Sequence, residues 1–191
     1  MPAYPSLTTE RLLLTLPSGS AAERLVAYAL KNREFHARWS PDRPTDYFTA
    51  PFWRRQLEAA RAEYLQRQGA RFVLFCRDRP DGPVVGQCTF SNVIRGPLQA
   101  CYLGYHLDEE ATGRGLMHEA LRAAIPFAMR DLQLHRVTAA YMPTNERSGR
   151  LLRRLGFTVE GYARDYLFLN GAWRDHVLTA LVDPQASPPC P

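Results

Sequence analysis

The chain has 191 residues, 46% hydrophobic and 23% charged, and its formal net charge is +5. This length predicts one domain with its own core, and the composition excludes disordered and fibrous classes of protein. No apolar run approaches the roughly 20 residues of a membrane helix, and Met1 to Glu10 lacks the pattern of a secretory signal, so we expect a cytoplasmic protein.

The positive charge and the cysteines bound the possible partners. A basic chain favours polyanions or phosphorylated ligands, although an ordinary basic surface has the same balance. The four cysteines are scattered, without a Cys-x-x-Cys pair or nearby histidines at zinc spacing, so we interpret them as reduced thiols and expect no metal. They are Cys76, Cys88, Cys101 and Cys190.

The first part of the chain contains a strand pattern and two helix patterns. Residues 7–16 are rich in Leu and Thr and predict a first strand that Pro17 ends. Capping-box spacing from Ser20 to Glu23 predicts the start of a helix. After a loop at 35–46, residues 51–68 have the spacing of an amphipathic helix.

The middle of the chain changes to the alternation of strands. Three strands separated by turns rich in Pro and Gly predict an antiparallel meander over residues 72–75, 84–93 and 100–107. A helix is predicted over 113–130, and Pro126 should kink it or end it early.

The last part holds the remaining strands and a short helix. These elements are predicted at residues 135–141, 148–155, 159–169 and 173–181. Asn170-Gly171 is a strong hairpin signal between the last two strands. Residues 184–191 are expected to form a frayed tail. Together the elements predict a single α+β domain over residues 1–191, with one mixed sheet.

The segment from Gly104 to Leu121 has the pattern of a phosphate site. A strand is followed by Gly113-Arg-Gly115 and then by the start of a helix. Glycines allow close approach of the backbone to a ligand, and helix N-termini attract anions. Taken alone the signal is weak, since a tight turn into any helix looks similar. It is neither a Walker loop nor a dinucleotide fingerprint.

Two blocks in this order give a resemblance to a known family. Gly104 to Leu121 resembles the coenzyme A-binding motif of the GNAT acetyltransferases, and the segment from Tyr141 through Ser148 to Phe157 resembles the Asn-x-x-Ser helix of the same family, which ends in Leu-Gly-Phe. Further segments resemble its RimJ and RimL branch, the ribosomal-protein N-terminal acetyltransferases, with RimJ the nearer. These segments are Leu7 to Leu12, Ser91 to Gly96, Ala100 to Tyr105 and Gly171 to His176.

The resemblance implies a fold and a set of site residues. It implies a mostly antiparallel mixed sheet of about seven strands with about four helices, in which the fourth and fifth strands splay apart around the coenzyme. It implies that the main chain of β-strand residues 105–107 holds the coenzyme arm and that Ser148 donates a proton to the departing thiolate. The implied coenzyme-binding residues are Tyr105, His106, Leu107, Gly113, Arg114, Gly115, Leu116, Met117, Asn145 and Ser148.

Three positions depart from the family pattern. Glu110 replaces a common Arg or Gln, Leu152 replaces a common Tyr, and Tyr102 stands where RimL-like enzymes can carry a Glu base. At pH 7.5 roughly a third of α-amines but only about a thousandth of lysines are neutral, so an enzyme without a strong base suits an α-amine. A water chain that ends at Tyr102, His106 or Glu119 would complete the proton transfer, and Tyr102 is therefore a candidate catalytic residue.

The function implied is transfer of acetyl from acetyl-CoA to the N-terminal α-amine, alanine being expected, of a ribosomal protein, by direct attack in a ternary complex. The alternatives are acetylation of a small amine, amino sugar or peptide antibiotic, and a non-catalytic coenzyme-binding module. Expected partners are a ribosomal protein or the ribosome. We expect no membrane contact, only indirect contact with nucleic acid, and a monomer or homodimer.

Overall fold

The computed structural model describes residues 4–186. In this range one sheet contains β1 (Ser6–Thr8), β2 (Leu12–Thr15), β3 (Ala70–Cys76), β4 (Arg79–Ile94), β5 (Ala100–Leu107), β6 (Arg136–Tyr141), β7 (Thr158–Leu169) and β8 (Ala172–Val182). The helices are α1 (Ala22–Lys31), α2 (Arg33–Ala37), α3 (Ala50–Leu65), α4 (Leu116–Asp131) and α5 (Glu146–Arg154).

The strands form a single mixed sheet in the order β1-β2-β3-β4-β5-β6-β8-β7. The β5–β6 pair is parallel, and each other neighbouring pair is antiparallel. The predicted mixed, mostly antiparallel sheet is therefore confirmed. The described chain has eight strands and five α-helices, one of each more than the sequence predicted.

Alternation along the strands divides the core between the two faces of the sheet. Phe72 and Leu74 on β3 pack into a cluster with α4, whereas Val73 and Phe75 pack with α1 and α3. Full burial of a side chain of this size stabilises the fold by roughly 1.5–3 kcal/mol. Helices therefore cover both faces, and the central strands are held between two hydrophobic layers.

The predicted first strand is wrong in detail. Residues 7–16 form the antiparallel pair β1 and β2, because the chain turns at Thr9, whose backbone N–H donates to Leu12 at 2.9 Å. The predicted loop at 35–46 begins inside α2. The capping box is also absent: Ser18 caps a short 3₁₀ turn over Gly19–Ala21, and α1 begins at Ala22 without a side-chain cap.

The prediction that Pro126 ends its helix early is wrong, since α4 continues to Asp131, and the kink that was its alternative stays a prediction. Proline lacks the N–H that would bond to the carbonyl of Arg122. Both residues are exposed, so water can solvate that carbonyl. The cost of the missing hydrogen bond is small there, while the opposite face of α4 remains buried in the core.

Three further expectations concern cysteines, membranes and the tail. Cys76, Cys88 and Cys101 are free thiols, and burial raises the pKa of Cys88 and of Cys101 to about 12. No helix within residues 4–186 is long and apolar enough to cross a membrane. Of the predicted tail, 184–186 follow β8 in a turn, while 187–191, including Cys190, lie outside the described residues.

Candidate active site

The two parallel strands separate part-way along their length. The β5–β6 ladder joins Ala100–Tyr102 to Arg136–Thr138 and ends there. Beyond it, β5 stays paired with β4 as far as Leu107, and β6 stays paired with β8 as far as Tyr141. The facing edges therefore present backbone N–H and C=O groups that need partners. β5 and β6 are the pair that was expected to splay apart as the fourth and fifth strands. Their numbers are higher by one because the predicted first strand is divided into β1 and β2.

A cleft of about 730 Å³ lies in this gap. Its walls are the end of β5, the start of α4, the end of β6 and α5, and the α2 region closes the opposite side. A volume of this size suits a small-molecule ligand. The predicted coenzyme-binding residues that line it are Tyr105, His106, Leu107, Gly113, Gly115, Leu116, Met117, Asn145 and Ser148.

The loop from β5 to α4 ends in uncapped helix amides. Gly113 and Gly115 have φ angles of 78° and 75°, in the left-handed region that glycine adopts without strain. Gly115 is the N-cap residue of α4, and it supplies no capping side chain. The first backbone N–H groups of α4 therefore have no partner within the helix and can donate to a ligand in the cleft, which Leu116 and Met117 line. The helix dipole favours an anion at this end.

Arg114 lies in this loop but is exposed and does not line the cleft. Its carbonyl accepts a hydrogen bond of 3.0 Å from Arg11 Nη1. Arg11 also forms a 2.7 Å ion pair with Glu119, to which Thr9 Oγ1 donates a hydrogen bond. Glu119, predicted as a possible end of a proton relay, instead anchors α4 to the turn between β1 and β2.

A buried network fixes the other end of the same loop. Asn32, fully buried after α1, donates to Asp108 at 3.1 Å and accepts from the backbone N–H of Glu109 at 2.9 Å. Lys31 pairs with Asp108 at 3.0 Å and with Glu110 at 2.8 Å. Burial raises the pKa of Asp108, but hydrogen bonds from Asn32 and Lys31 outweigh burial and hold the pKa below its usual range. Lys31 also neutralises the unusual Glu110.

Two hydroxyl groups meet in the cleft. Tyr105 Oη and Ser148 Oγ are 2.6 Å apart, and either can donate the hydrogen bond. Asn145 positions Ser148 by accepting its backbone N–H at 3.2 Å, which also caps α5. Burial raises the pKa of Tyr105 to about 12, although the bond to Ser148 acts in the opposite direction. The pair therefore keeps its protons at neutral pH and can donate one to a group in the cleft.

Sequence reasoning assigned Tyr105 only a main-chain contact and missed its side chain. The residue type offered a signal, because a Tyr near the coenzyme arm is a possible proton donor. The partnership with Ser148 depends on the approach of β5 to α5, which no local pattern specifies.

His106 lies on the opposite face of β5, in an aromatic cluster. Its ring centroid is 5.6 Å from that of Tyr28 and 4.9 Å from that of His36. Its Nδ1 is 2.8 Å from the Tyr28 hydroxyl, and His36 Nε2 donates to the Leu107 carbonyl at 2.9 Å. Burial lowers the pKa of His106 to about 3, and His36 and Arg43 act in the same direction. His106 is therefore neutral at physiological pH and a weak base.

Tyr102 does not line the cleft. It precedes the separation of the strands and is 40% exposed. Its neighbour is Tyr166, whose pKa is raised by burial and then by Tyr102. The structure thus brings Ser148 to the cleft but leaves Tyr102 outside it, and a catalytic role for Tyr102 stays a prediction.

One face of α5 adds positive charge that sequence reasoning did not assign. Arg147, Arg150 and Arg154 line the cleft. Arg150 pairs with Glu146 at 2.8 Å, whereas Arg147 and Arg154 form no ion pair within the described residues. Guanidinium groups bind phosphates well, so these residues and the α4 amides suit a ligand with several phosphates, such as coenzyme A. The sequence signal that could have revealed this basic face is the spacing of three and then four residues between the arginines, which places them on one side of a helix.

Comparison with known proteins is consistent with this geometry. A model of the acetyltransferase (GNAT) domain matches residues 11–158, which include both strand ends and both helices of the cleft. This chain is a GNAT acetyltransferase. It is 44% identical over 182 residues to the [ribosomal protein uS5]-alanine N-acetyltransferase of Escherichia coli K12, covering 95% of this chain and 93% of the relative.

Solved structures show the same fold for this GNAT acetyltransferase. A ribosomal-protein-S5-alanine acetyltransferase from Vibrio fischeri has a TM-score of 0.91 and 34% identity, covering 96% of this chain and all of the other. Mycobacterium smegmatis RimJ in complex with CoA-disulfide has a TM-score of 0.84 and 29% identity, covering 96% and 90%. The RimJ/RimL resemblance and the GNAT fold are confirmed, and the protein is an acetyl-CoA-dependent N-acetyltransferase.

Proposed function

We propose that this acetyltransferase modifies the N-terminal α-amine of a ribosomal protein, with alanine as the first residue, in the cytoplasm. The relatives from E. coli and V. fischeri, which carry this activity in their names, support the choice of acceptor. The geometric support is the lining of the cleft, which contains no Asp or Glu within the described residues. A cleft without a carboxylate base suits an amine that is partly neutral at physiological pH.

The residues of the cleft fit acetyl-CoA in four places. The α4 amides and the Gly113–Gly115 turn hold the pyrophosphate, and α5 arginines hold further phosphate charge. The free edge of β5 at 105–107 pairs with the amide groups of the pantetheine arm. Asn145 uses Oδ1 to cap α5, which leaves its Nδ2 to donate to that arm.

The chemistry needs a nucleophile, an oxyanion donor and a proton donor. When bound, acetyl-CoA supplies a thioester that reacts directly with an amine. A backbone amide of β5 stabilises the charge that develops on the carbonyl oxygen. The C–N bond forms and the C–S bond breaks, while Ser148 donates its proton to the departing sulfur, Tyr105 reprotonates Ser148, and solvent water returns a proton to Tyr105. Water removes the proton of the amine, and no cysteine of the described chain lines the cleft to form an acyl-enzyme.

Mass spectrometry of peptides tests this proposal. Three peptides identical except for a first residue of Ala, Ser or Met, each with one internal Lys, are incubated with enzyme and acetyl-CoA, beside copies whose α-amine is blocked. We expect one acetyl group on the free α-amine, fastest with Ala, and none on the blocked copies. Acetylation of the internal Lys, or of polyamines and amino sugars but no peptide, would contradict the proposed acceptor.

A further inference from the structure

A second cavity, of about 370 Å³, lies between the sheet and α3, across β5 from the cleft. Trp53 and Gln56 of α3 line one side, and the loop around Pro41–Pro44 lines another. The sheet supplies Gln87 and Thr89. His106 lines both this cavity and the cleft, so the two spaces meet at β5. Apart from His106, whose main chain belongs to the β5 edge assigned to the coenzyme arm, the coenzyme contacts and proton donors proposed above lie outside this cavity.

The floor of the cavity is a polar row that leads to the cleft. In the strand register, Arg71 is opposite Thr89, and Thr89 is opposite Gly104. Directly opposite residues share one face of a sheet, so these three positions form a row across β3, β4 and β5. A Cβ atom at Gly104 would meet nothing within 4 Å, and Gly104 lines the cleft. The row therefore ends in open space where the strands separate.

Two residues that line the cavity each carry a buried donor without a partner within the described residues. These donors are the indole N–H of Trp53, a residue only 7% exposed, and the terminal amide nitrogen of Gln87. Buried polar groups are almost always hydrogen-bonded, and leaving them unpaired is costly. Because both groups are hydrogen-bond donors, a ligand that pairs with them must supply hydrogen-bond acceptors.

The charged residues of the cavity favour a similar ligand. Arg43 and Arg71 line it against the single carboxylate of Asp42. Arg71 is paired with Glu63, and Arg43 lies over the ring of Tyr47 at 4.5 Å. With Arg71 balanced by Glu63 and Arg43 by Asp42, the lining carries no strong net charge and suits neutral carbonyl oxygens. An extended peptide backbone supplies such oxygens at each residue.

We propose that this cavity binds the residues that follow the acetylated α-amine, with their backbone carbonyl oxygens accepting hydrogen bonds from Trp53 and Gln87. The inference rests on the proposed function, because it takes a peptide N-terminus as the acceptor. The amine lies beside Gly104 at the gap between the strands, and the acceptor chain runs back along the polar row. The cavity thus selects a peptide over a free small amine.

Acceptors of two lengths test this assignment. Alaninamide ends near Gly104, whereas an Ala-initial tetrapeptide amide also reaches Trp53 and Gln87. In the wild type, we expect a lower KM for the tetrapeptide than for alaninamide. Trp53→Phe keeps the ring but removes the N–H, and Gln87→Met keeps the volume but removes the amide. Each should raise the KM of the tetrapeptide about three- to tenfold, with the KM of alaninamide and of acetyl-CoA unchanged.

Matched variants on the surface provide the controls. Trp173→Phe, at a side chain 59% exposed on β8, and Gln68→Met, at an exposed loop residue, should leave both acceptors unaffected. Thermal unfolding identifies a variant that fails to fold, and the other variant then carries the test.

Two results would overturn the assignment while leaving the proposed function standing. One is equal KM values for the two acceptors in the wild type. The other is a variant effect that does not distinguish the acceptors: no loss on either would mean that the donors bind only water, and an equal loss on both would mean that they are structural. If the wild type acetylates neither acceptor, the proposed function itself fails, and this assignment fails with it.

Discussion

The hydroxyl pair of Tyr105 and Ser148 is the arrangement from which a proton reaches the leaving group. A thiol has a pKa near 8.5, so its thiolate is already a fair leaving group, and protonation assists the departure without being indispensable. Ser148→Ala should therefore lower kcat about 10- to 100-fold and change the KM of acetyl-CoA much less. Steady-state kinetics from pH 6 to pH 9 measures this, with Ser91→Ala on β4 as the control. Equal kcat for Ser148→Ala and the wild type at every pH would remove the acid role.

Gly104 keeps open the space in which the acceptor amine meets the thioester. Its φ is not positive and a Cβ would touch nothing, so Gly104→Val should fold normally but lower kcat/KM for the peptide about tenfold or more. Gly161→Val on β7 is the matched control, because a Cβ there also meets nothing within 4 Å and Gly161 lies outside the cleft. Equal activity of the two variants would show that the space at Gly104 is not used.

The buried neutral state of His106 makes stability depend on pH. The folded pKa is about 3 and the unfolded pKa near 6.5, so below pH 6.5 the unfolded chain binds a proton that the folded chain does not. This contribution is fully present above pH 6.5 and is lost as pH falls toward 3. Between pH 7 and pH 5 it amounts to about 2 kcal/mol. His106→Gln should lose less stability over this range in denaturant titrations, and parallel curves for the two proteins would contradict the shift.

At the scale of elements, the β5–α4 loop is held from both sides before any ligand binds. Asn32 connects α1 to the loop by hydrogen bonds to Asp108 and Glu109. Asn32→Ala should reduce the free energy of unfolding by about 2 kcal/mol, because buried partners are left unsatisfied, and should raise the KM of acetyl-CoA. Lys31→Gln breaks a pair in which Lys31 is 46% exposed, and should cost less than about 1 kcal/mol. Equal costs for the two variants would contradict a buried clamp.

The elements that the sequence predicted well are those with a strong local signal. The helices at α3 and α4, the middle strands and the Asn170-Gly171 hairpin are present close to their predicted bounds. The turn between β1 and β2 has neither Gly nor Pro, and the five-residue α2 is too short for periodicity, so both were missed.

The residues of the candidate site also divide into those with a local sequence signal and those without one. The glycine loop and the Asn-x-x-Ser helix are local and could be predicted. The Tyr105 hydroxyl pair and the cavity at Trp53 depend on contacts between distant segments, and no single segment encodes them. Local pattern therefore predicts where the coenzyme binds better than where the acceptor binds.

Across the whole molecule, positive charge is carried almost entirely by arginine. Lys31 is the only lysine among the 24 Lys and Arg residues, and it is ion-paired with Asp108 and Glu110. Its pKa is raised by the hydrogen bonds that its ammonium group donates to Glu110 and Asp108, which keeps the amine protonated. An enzyme that holds a reactive thioester thus presents one lysine amine of its own, in a form that is not nucleophilic.

Of the side chains that give the chain its net charge of +5, we expect only those near the phosphates to affect coenzyme binding. The Debye screening length falls from about 10 Å at 0.1 M salt to about 3 Å at 1 M. Because this weakens the attraction between the positive chain and the phosphates, the KM of acetyl-CoA should rise several-fold over this range. The double variant Arg147→Gln with Arg154→Gln should raise the KM at 0.1 M and flatten its salt dependence.

The control for this prediction changes the total charge equally but at another place. Arg122→Gln with Arg130→Gln removes two exposed charges from α4, outside the cleft. If the α5 arginines hold phosphate directly, this control keeps the wild-type salt dependence. If instead the field of the whole molecule attracts the coenzyme, the two double variants flatten the salt dependence to the same extent. KM measurements at four salt concentrations separate these outcomes.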